Sequence, residues 1–145
     1  DAVVFCDCDK EKELEKDKKD VVAHGIPIIQ CEMGLALEQQ IFNFLPWEGV
    51  LELVKWAEEN CEKTIFPITD TRFFSVEDIK NLSDAEKLNA RQKIGTAAKS
   101  SQAWYKNING GEELGEVIMK YHAAMDDENP LKIEINELLA WIEKE

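Results

Sequence analysis

The chain is expected to be an α/β protein: a partial parallel sheet at the front, followed by a C-terminal helical region. Three observations carry that expectation. An apolar, strand-forming run, Ala2 to Cys6, leads into Asp7-Cys8-Asp9. A charged, helix-compatible stretch and a second apolar run, Ile26 to Cys31, follow, and strand–helix–strand order implies a parallel pair joined by a right-handed crossover. From Leu35 onward the apolar residues recur at helical spacing, with cap and breaker residues between the segments.

Taken in order, residues 2–6 form a buried strand, and residues 10–20 form a solvated helix face with charge pairs at helical spacing. That helix ends near His24-Gly25, where Gly supplies a left-handed C-terminal cap and His24 meets the helix dipole. Ile26-Pro27-Ile28-Ile29-Gln30-Cys31 is the second strand, with proline near its start, where it is tolerated. A short helix covers Leu35 to Phe42. Pro46 opens another from Trp47 to Asn60, with Leu51, Val54, Trp56 and Ala57 as its apolar stripe.

Residues 64–74, with Pro67 among β-branched and aromatic residues, are expected to be mostly loop. Ser75, ahead of Glu77 and Asp78, starts a helix. Ser83 with Glu86 forms a capping box for another, from Asp84 to about Ala103. Trp104-Tyr105-Lys106 precede a turn at Asn109-Gly110-Gly111. The next helix, Glu112 to Met125, carries Leu114, Val117, Ile118 and Tyr121 on one face. After a loop at 126–130, the last helix runs from about Lys132 to Lys144 and buries Ile135, Leu138, Leu139 and Ile142. Two strands sustain a sheet poorly alone, so further strands are expected upstream or from another chain. The organisation expected is residues 1–61 as the sheet-bearing part and 62–145 as the helical part.

Composition narrows the function classes. The chain has 145 residues, 44% hydrophobic and 32% charged, as in a folded globular domain. It contains no apolar run near the roughly 20 residues needed to cross a membrane, and a cytoplasmic location is expected. Seventeen basic against thirty acidic residues give a net charge of -13, which argues against a phosphate-tracking surface but not against an acidic metal site. Cys6, Cys8, Cys31 and Cys61 do not follow a zinc-finger or ribbon spacing and are expected to be buried, reduced thiols.

The chemistry-bearing feature is Asp7-x-Asp9. Residues two apart on a strand share a face, and in open parallel sheets ligands gather at the strands' C-terminal ends. Two carboxylates on a rigid element suit a hard cation such as Mg²⁺ or Mn²⁺. Further along stand Glu38, with Glu32 as its competitor nearer the strand end, and Lys106 beside two aromatic residues.

On these residues the chain resembles a known family. Val4-Phe5-Cys6-Asp7-Cys8-Asp9-Lys10, then Gly25-Ile26-Pro27-Ile28-Ile29-Gln30-Cys31-Glu32-Met33-Gly34-Leu35-Ala36-Leu37-Glu38, is similar to the second half of a Rossmann-like TOPRIM domain. More narrowly, it resembles the TOPRIM nuclease part of OLD-family ATP-dependent endonucleases, including the nuclease subunit of Gabija-type anti-phage systems. Phe44-Leu45-Pro46-Trp47 and Ala103-Trp104-Tyr105-Lys106 through Gly115 agree with later family segments, while residues 62–90 match loosely.

The resemblance implies that Asp7 and Asp9 ligate one or two Mg²⁺ or Mn²⁺ ions, with Glu38 contributing to the metal shell. It implies that Lys106 offsets negative charge during phosphodiester cleavage. DNA, an ATPase domain or N-terminal part of the same protein, and further copies of the chain are the partners it implies, in defence against foreign DNA. The family's site also uses a glutamate from an earlier strand. ATP enters only through the ATPase domain, whose Gly-x-x-x-x-Gly-Lys-Ser/Thr loop does not occur in these 145 residues. The 145 residues alone are therefore expected to cleave DNA poorly or not at all.

Two other readings compete. A phosphatase would use Asp7 as nucleophile and Asp9 as acid/base, but Lys10-Glu11 stand where such sites usually carry a small residue and a hydroxyl. A non-catalytic acidic interaction module, or nucleic-acid mimic, is suggested by the charge of -13, although the acids alternate with lysines along the helices. His24 and His122 are read as structural, and Trp56, Trp104 and Trp141 as core anchors.

Overall fold

The structure is a computed structural model that describes residues 2–32, 34–61, 75–99 and 104–144, with residues 11–14 described by backbone alone. Its elements are β1 (Val4–Cys6), α1 (Glu11–Ala23), β2 (Ile28–Gln30), α2 (Leu37–Phe44), α3 (Trp47–Asn60), α4 (Val76–Ile79), α5 (Asp84–Lys99), α6 (Ile108–Tyr121) and α7 (Pro130–Ile142). A single 3₁₀ turn, His122–Ala124, follows α6. The described residues are mostly helical with a small parallel sheet, broadly the α/β class expected.

β1 and β2 pair in parallel, Val4 opposite Ile28, Phe5 opposite Ile29 and Cys6 opposite Gln30. The Val4 N–H donates to Pro27 O at 3.0 Å and the Cys31 N–H to Cys6 O at 3.2 Å, so the ladder closes one bond beyond each end of the strands. Pro27 precedes β2, where its missing N–H costs the ladder nothing. Between the strands, α1 ends in a paired cap. Ile26 N–H reaches Val21 O and Gly25 N–H reaches Val22 O, and Gly25 takes φ +74°, which L side chains rarely adopt. As expected, His24 serves the helix end, its Nδ1 lying 2.7 Å from Asp20 O. The described part of α1 is largely solvated, with Lys19 and Glu15 paired at 3.1 Å.

The main core is helical. Ile41, Phe42, Leu45, Val50, Leu53, Val54, Ala57, Ile79, Ile94, Ala98, Trp104 and Val117 belong to one buried cluster, which draws on residues both before and after position 61. Of the stripe expected on α3, Val54 and Ala57 are buried and Leu51 and Trp56 pack partly buried against them; Val50 and Leu53 complete it. Trp56 stacks on Tyr105 at 5.5 Å between ring centroids, and Tyr105 Oη donates to Leu53 O at 2.6 Å. α2 and α5 cross closely: a Cβ on Gly95 would lie 2.9 Å from Gln39 Cα.

Several expectations need correction. The Asn109-Gly110-Gly111 turn is instead the first turn of α6, capped by Asn107, whose side chain accepts the Gly110 N–H. Gly110 is there for close approach, since a Cβ would lie 2.9 Å from Trp104 O. α7 begins two residues earlier than expected, because Asn129 caps it and Pro130 occupies its first turn. Its buried residues are Leu131 and Glu134; of the four expected, Ile135 packs partly buried against the core, Leu138 and Leu139 are half-buried, and Ile142 is 53% exposed. Trp104 is buried in the main cluster as expected, but Trp141 is only half-buried. Cys8 and Cys31 are buried, whereas Cys6 and Cys61 are partly exposed; all four are free thiols. α4 and α5 start where Ser75 and Ser83 predict, while the loop at 64–74 and the helix end at 100–103 lie outside the described residues.

Candidate functional site

The loop leaving β1 docks on the loop leaving β2. Cys8 N–H donates to Leu35 O at 2.9 Å, Gly34 N–H donates to Cys8 O at 3.1 Å, and Gly34 takes φ +84°. Gln30 Nε2 lies 2.7 Å from Cys8 Sγ. This cross-linking holds the residues after β1 against the start of α2.

Asp7 follows the last residue of β1, and its Oδ1 accepts the Leu37 N–H at 2.6 Å. Leu37 is the first residue of α2, and Ala36 at the cap position has no side-chain acceptor of its own. The carboxylate thus caps a helix from 30 residues away, at the end where the dipole favours negative charge. A carboxylate has about four acceptor sites, so this bond leaves capacity for a cation.

Glu38 is in the same first turn of α2, with its side chain 12% exposed, and its Oε1 lies 3.7 Å from Lys106 Nζ. Lys106 itself is more than half exposed, just after the buried Trp104 and Tyr105. Asp9 takes a different partner: Lys99, at the end of α5, reaches its Oδ2 at 2.7 Å. The Lys99 hydrogen bond holds the Asp9 carboxyl below its usual range.

The sequence-predicted residues are therefore joined in part. Glu38 and Lys106 meet directly, Asp7 is bonded to the residue preceding Glu38, and Asp9 is tied to Lys99. Among the described residues, no three His, Cys, Asp or Glu side chains are grouped closely enough to hold a metal ion. The donor chemistry of Asp7, Asp9 and Glu38 fits a hard divalent cation, but their present partners are an amide and two ammonium groups.

Around these residues lie groups that pattern reading missed. Lys99 is one. Gln40 is another: fully buried in α2, its Oε1 accepts the Glu32 N–H at 3.3 Å and its Nε2 donates to Glu134 Oε1 at 2.6 Å. Burial, with Glu134 and Asp7 adding to it, pushes the Cys31 thiol up to about 12, so it stays protonated. The signal for Glu134 was present, since it stands three residues after Leu131 and four before Leu138, on their helical face. His122 makes a structural contact, Nε2 at 2.8 Å from Asn136 Oδ1. Compared with protein-family models, curated proteins and solved structures, the chain matches none, so its function must be argued from these side chains and their surroundings.

Proposed function

We propose that this chain is the C-terminal TOPRIM portion of a divalent-metal-dependent DNA endonuclease of the OLD family. In this reading it works in the cytoplasm, joined to an ATPase domain, against foreign DNA. The observation that supports the reading is the position of Asp7. It leaves the C-terminal end of a strand in a parallel pair and touches the helix turn that bears Glu38, whose carboxylate meets Lys106 at 3.7 Å.

Asp7, Asp9 and Glu38 would hold Mg²⁺ or Mn²⁺. When bound, such an ion supplies an activated water and a counter-charge for the leaving oxygen. Asp9 and Glu38, now paired with Lys99 and Lys106, would serve as ligands in place of those pairings. Lys106 would then be placed to neutralise charge on the scissile phosphate. With a net charge of -13, the chain's own surface repels DNA, so affinity depends on the ion or on another domain.

Calorimetric titration with Mn²⁺ tests the proposal. Saturable binding that is lost in both Asp7→Ala and Asp9→Ala supports it. Stable phosphorylation of Asp7 by a small phosphodonor would overturn it. A second reading, a non-catalytic acidic module, is favoured by the fact that Asp7, Asp9 and Glu38 each have an intramolecular partner. Mn²⁺ titrations that remain flat favour that module.

A further inference from the structure

Glu134 sits on α7 where that helix packs against α2 and β2, and it is 6% exposed. Its Oε1 accepts the Gln40 amide at 2.6 Å, and Gln40 in turn holds the backbone of Glu32 at the end of β2. The second carboxyl oxygen, Oε2, is fully buried and makes no hydrogen bond. Among the described residues, the groups acting on it are acidic or neutral: the Cys31 thiol and Glu32 from the end of β2, the Gln40 amide from α2, and Glu137 from α7 itself.

A carboxylate in this position would have one neutral donor, one orphaned oxygen and two acidic neighbours. Burying that charge is far more costly than burying the neutral acid, which needs only weak solvation. The geometry points to Glu134 as a proton-dependent latch that holds α7 against α2 and the end of β2 when its carboxyl is protonated and loosens that contact when it ionises. The latch does not depend on the nuclease reading, because neither a metal ion nor DNA enters it.

Burial, then Glu32 and Glu137, push the Glu134 carboxyl up to about 7, against the opposing effect of the Gln40 hydrogen bond. The folded value lies above the unfolded one, so between them the folded chain binds more protons. The contribution of this residue to stability falls as pH rises from about 4.5 to about 7, then levels off.

Amide hydrogen exchange over α7, corrected for intrinsic rates, reads the latch directly. Between about pH 5.5 and 8.5 the opening equilibrium of α7 in the unmodified chain should increase on the order of thirtyfold. In Glu134→Gln, which keeps the acceptor for Gln40 but cannot ionise, it should stay nearly flat. Equal pH slopes in the two proteins would overturn the latch. If Glu134→Gln does not fold, ¹³C titration of the Glu134 carboxyl in the unmodified chain decides, and a midpoint in the ordinary glutamate range near 4.3 sinks the proposal.

Discussion

Asp7 is the residue on which a ligand role and a structural role can be separated. As a cap it needs only an oxygen facing the Leu37 N–H, now 2.6 Å away. As a metal ligand it needs its charge. Asp7→Ala should cost about 1–2 kcal/mol, since it leaves that N–H without its acceptor. Asp7→Asn should restore most of this in denaturant midpoints while failing to restore metal binding. If the two variants are equally unstable, the cap is not what Asp7 contributes. The proposed ligand pattern rests on a local signal, Asp-x-Asp at a strand end. The cap was not legible, because its partner lies 30 residues away. A trace of it existed all the same: Gly34-Leu35-Ala36-Leu37 opens a helix with no Ser, Thr, Asp or Asn at the cap, so the first N–H groups needed an acceptor from elsewhere.

At the scale of elements, α2 is the hub. Asp7 caps its start, Gln40 ties it to α7, and Arg91 of α5 closes its end, with Nη1 donating to Phe42 O at 2.9 Å and Leu45 O at 2.6 Å. The same guanidinium lies 5.3 Å from the Trp47 ring centroid. The α2–α5 crossing depends on Gly95, where a Cβ would stand 2.9 Å from backbone and 3.5 Å from Phe42 Cβ. Backbone cannot swing aside as a side chain can, so Gly95→Ala should destabilise by about 1–3 kcal/mol despite alanine's better helix propensity. A gain in thermal midpoint for Gly95→Ala would show that the crossing has slack. Helix existence here was legible from periodicity, and the starts of α4 and α5 from their serines. The start of α6 was misread because Asn-Gly-Gly is also a turn signal, and nothing local reveals that Trp104 needs a glycine beside it. The buried face of α7 was legible in part: Ile135 packs against the core, but the buried positions are Leu131, ahead of the expected start, and a glutamate held by Gln40 from α2, which an apolar stripe does not reveal.

Across the whole molecule, stability and candidate chemistry are unequally distributed. The large cluster lies among the helices, and among the described residues its members run from Ile41 to Leu131, with no described side chain of β1, α1 or β2. Among the described residues the front half has less to hold it: a three-residue strand pair, the largely solvated residues 15–23 of α1, and buried Ile29, Cys8, Cys31 and Ala36 beneath the linked loops. Area removed from water sets the hydrophobic contribution at about 25 cal/mol per Å², so the helical body must open at a higher free energy than the front. Native-state hydrogen exchange should therefore show α1 and the strands opening by local fluctuations while Leu53, Val54 and Ile118 exchange only through global unfolding. The two classes should lie apart by at least ~2 kcal/mol. Saturating Mn²⁺ should narrow the gap if the metal proposal holds, because an ion bound through Asp7, Asp9 and Glu38 would cross-link the front to α2 and stabilise it by mass action. Amides of α1 that exchange at the same free energy as those of α3, without metal, would instead show that the loops joining Cys8 to Gly34 and Leu35 already make the front part of one cooperative unit.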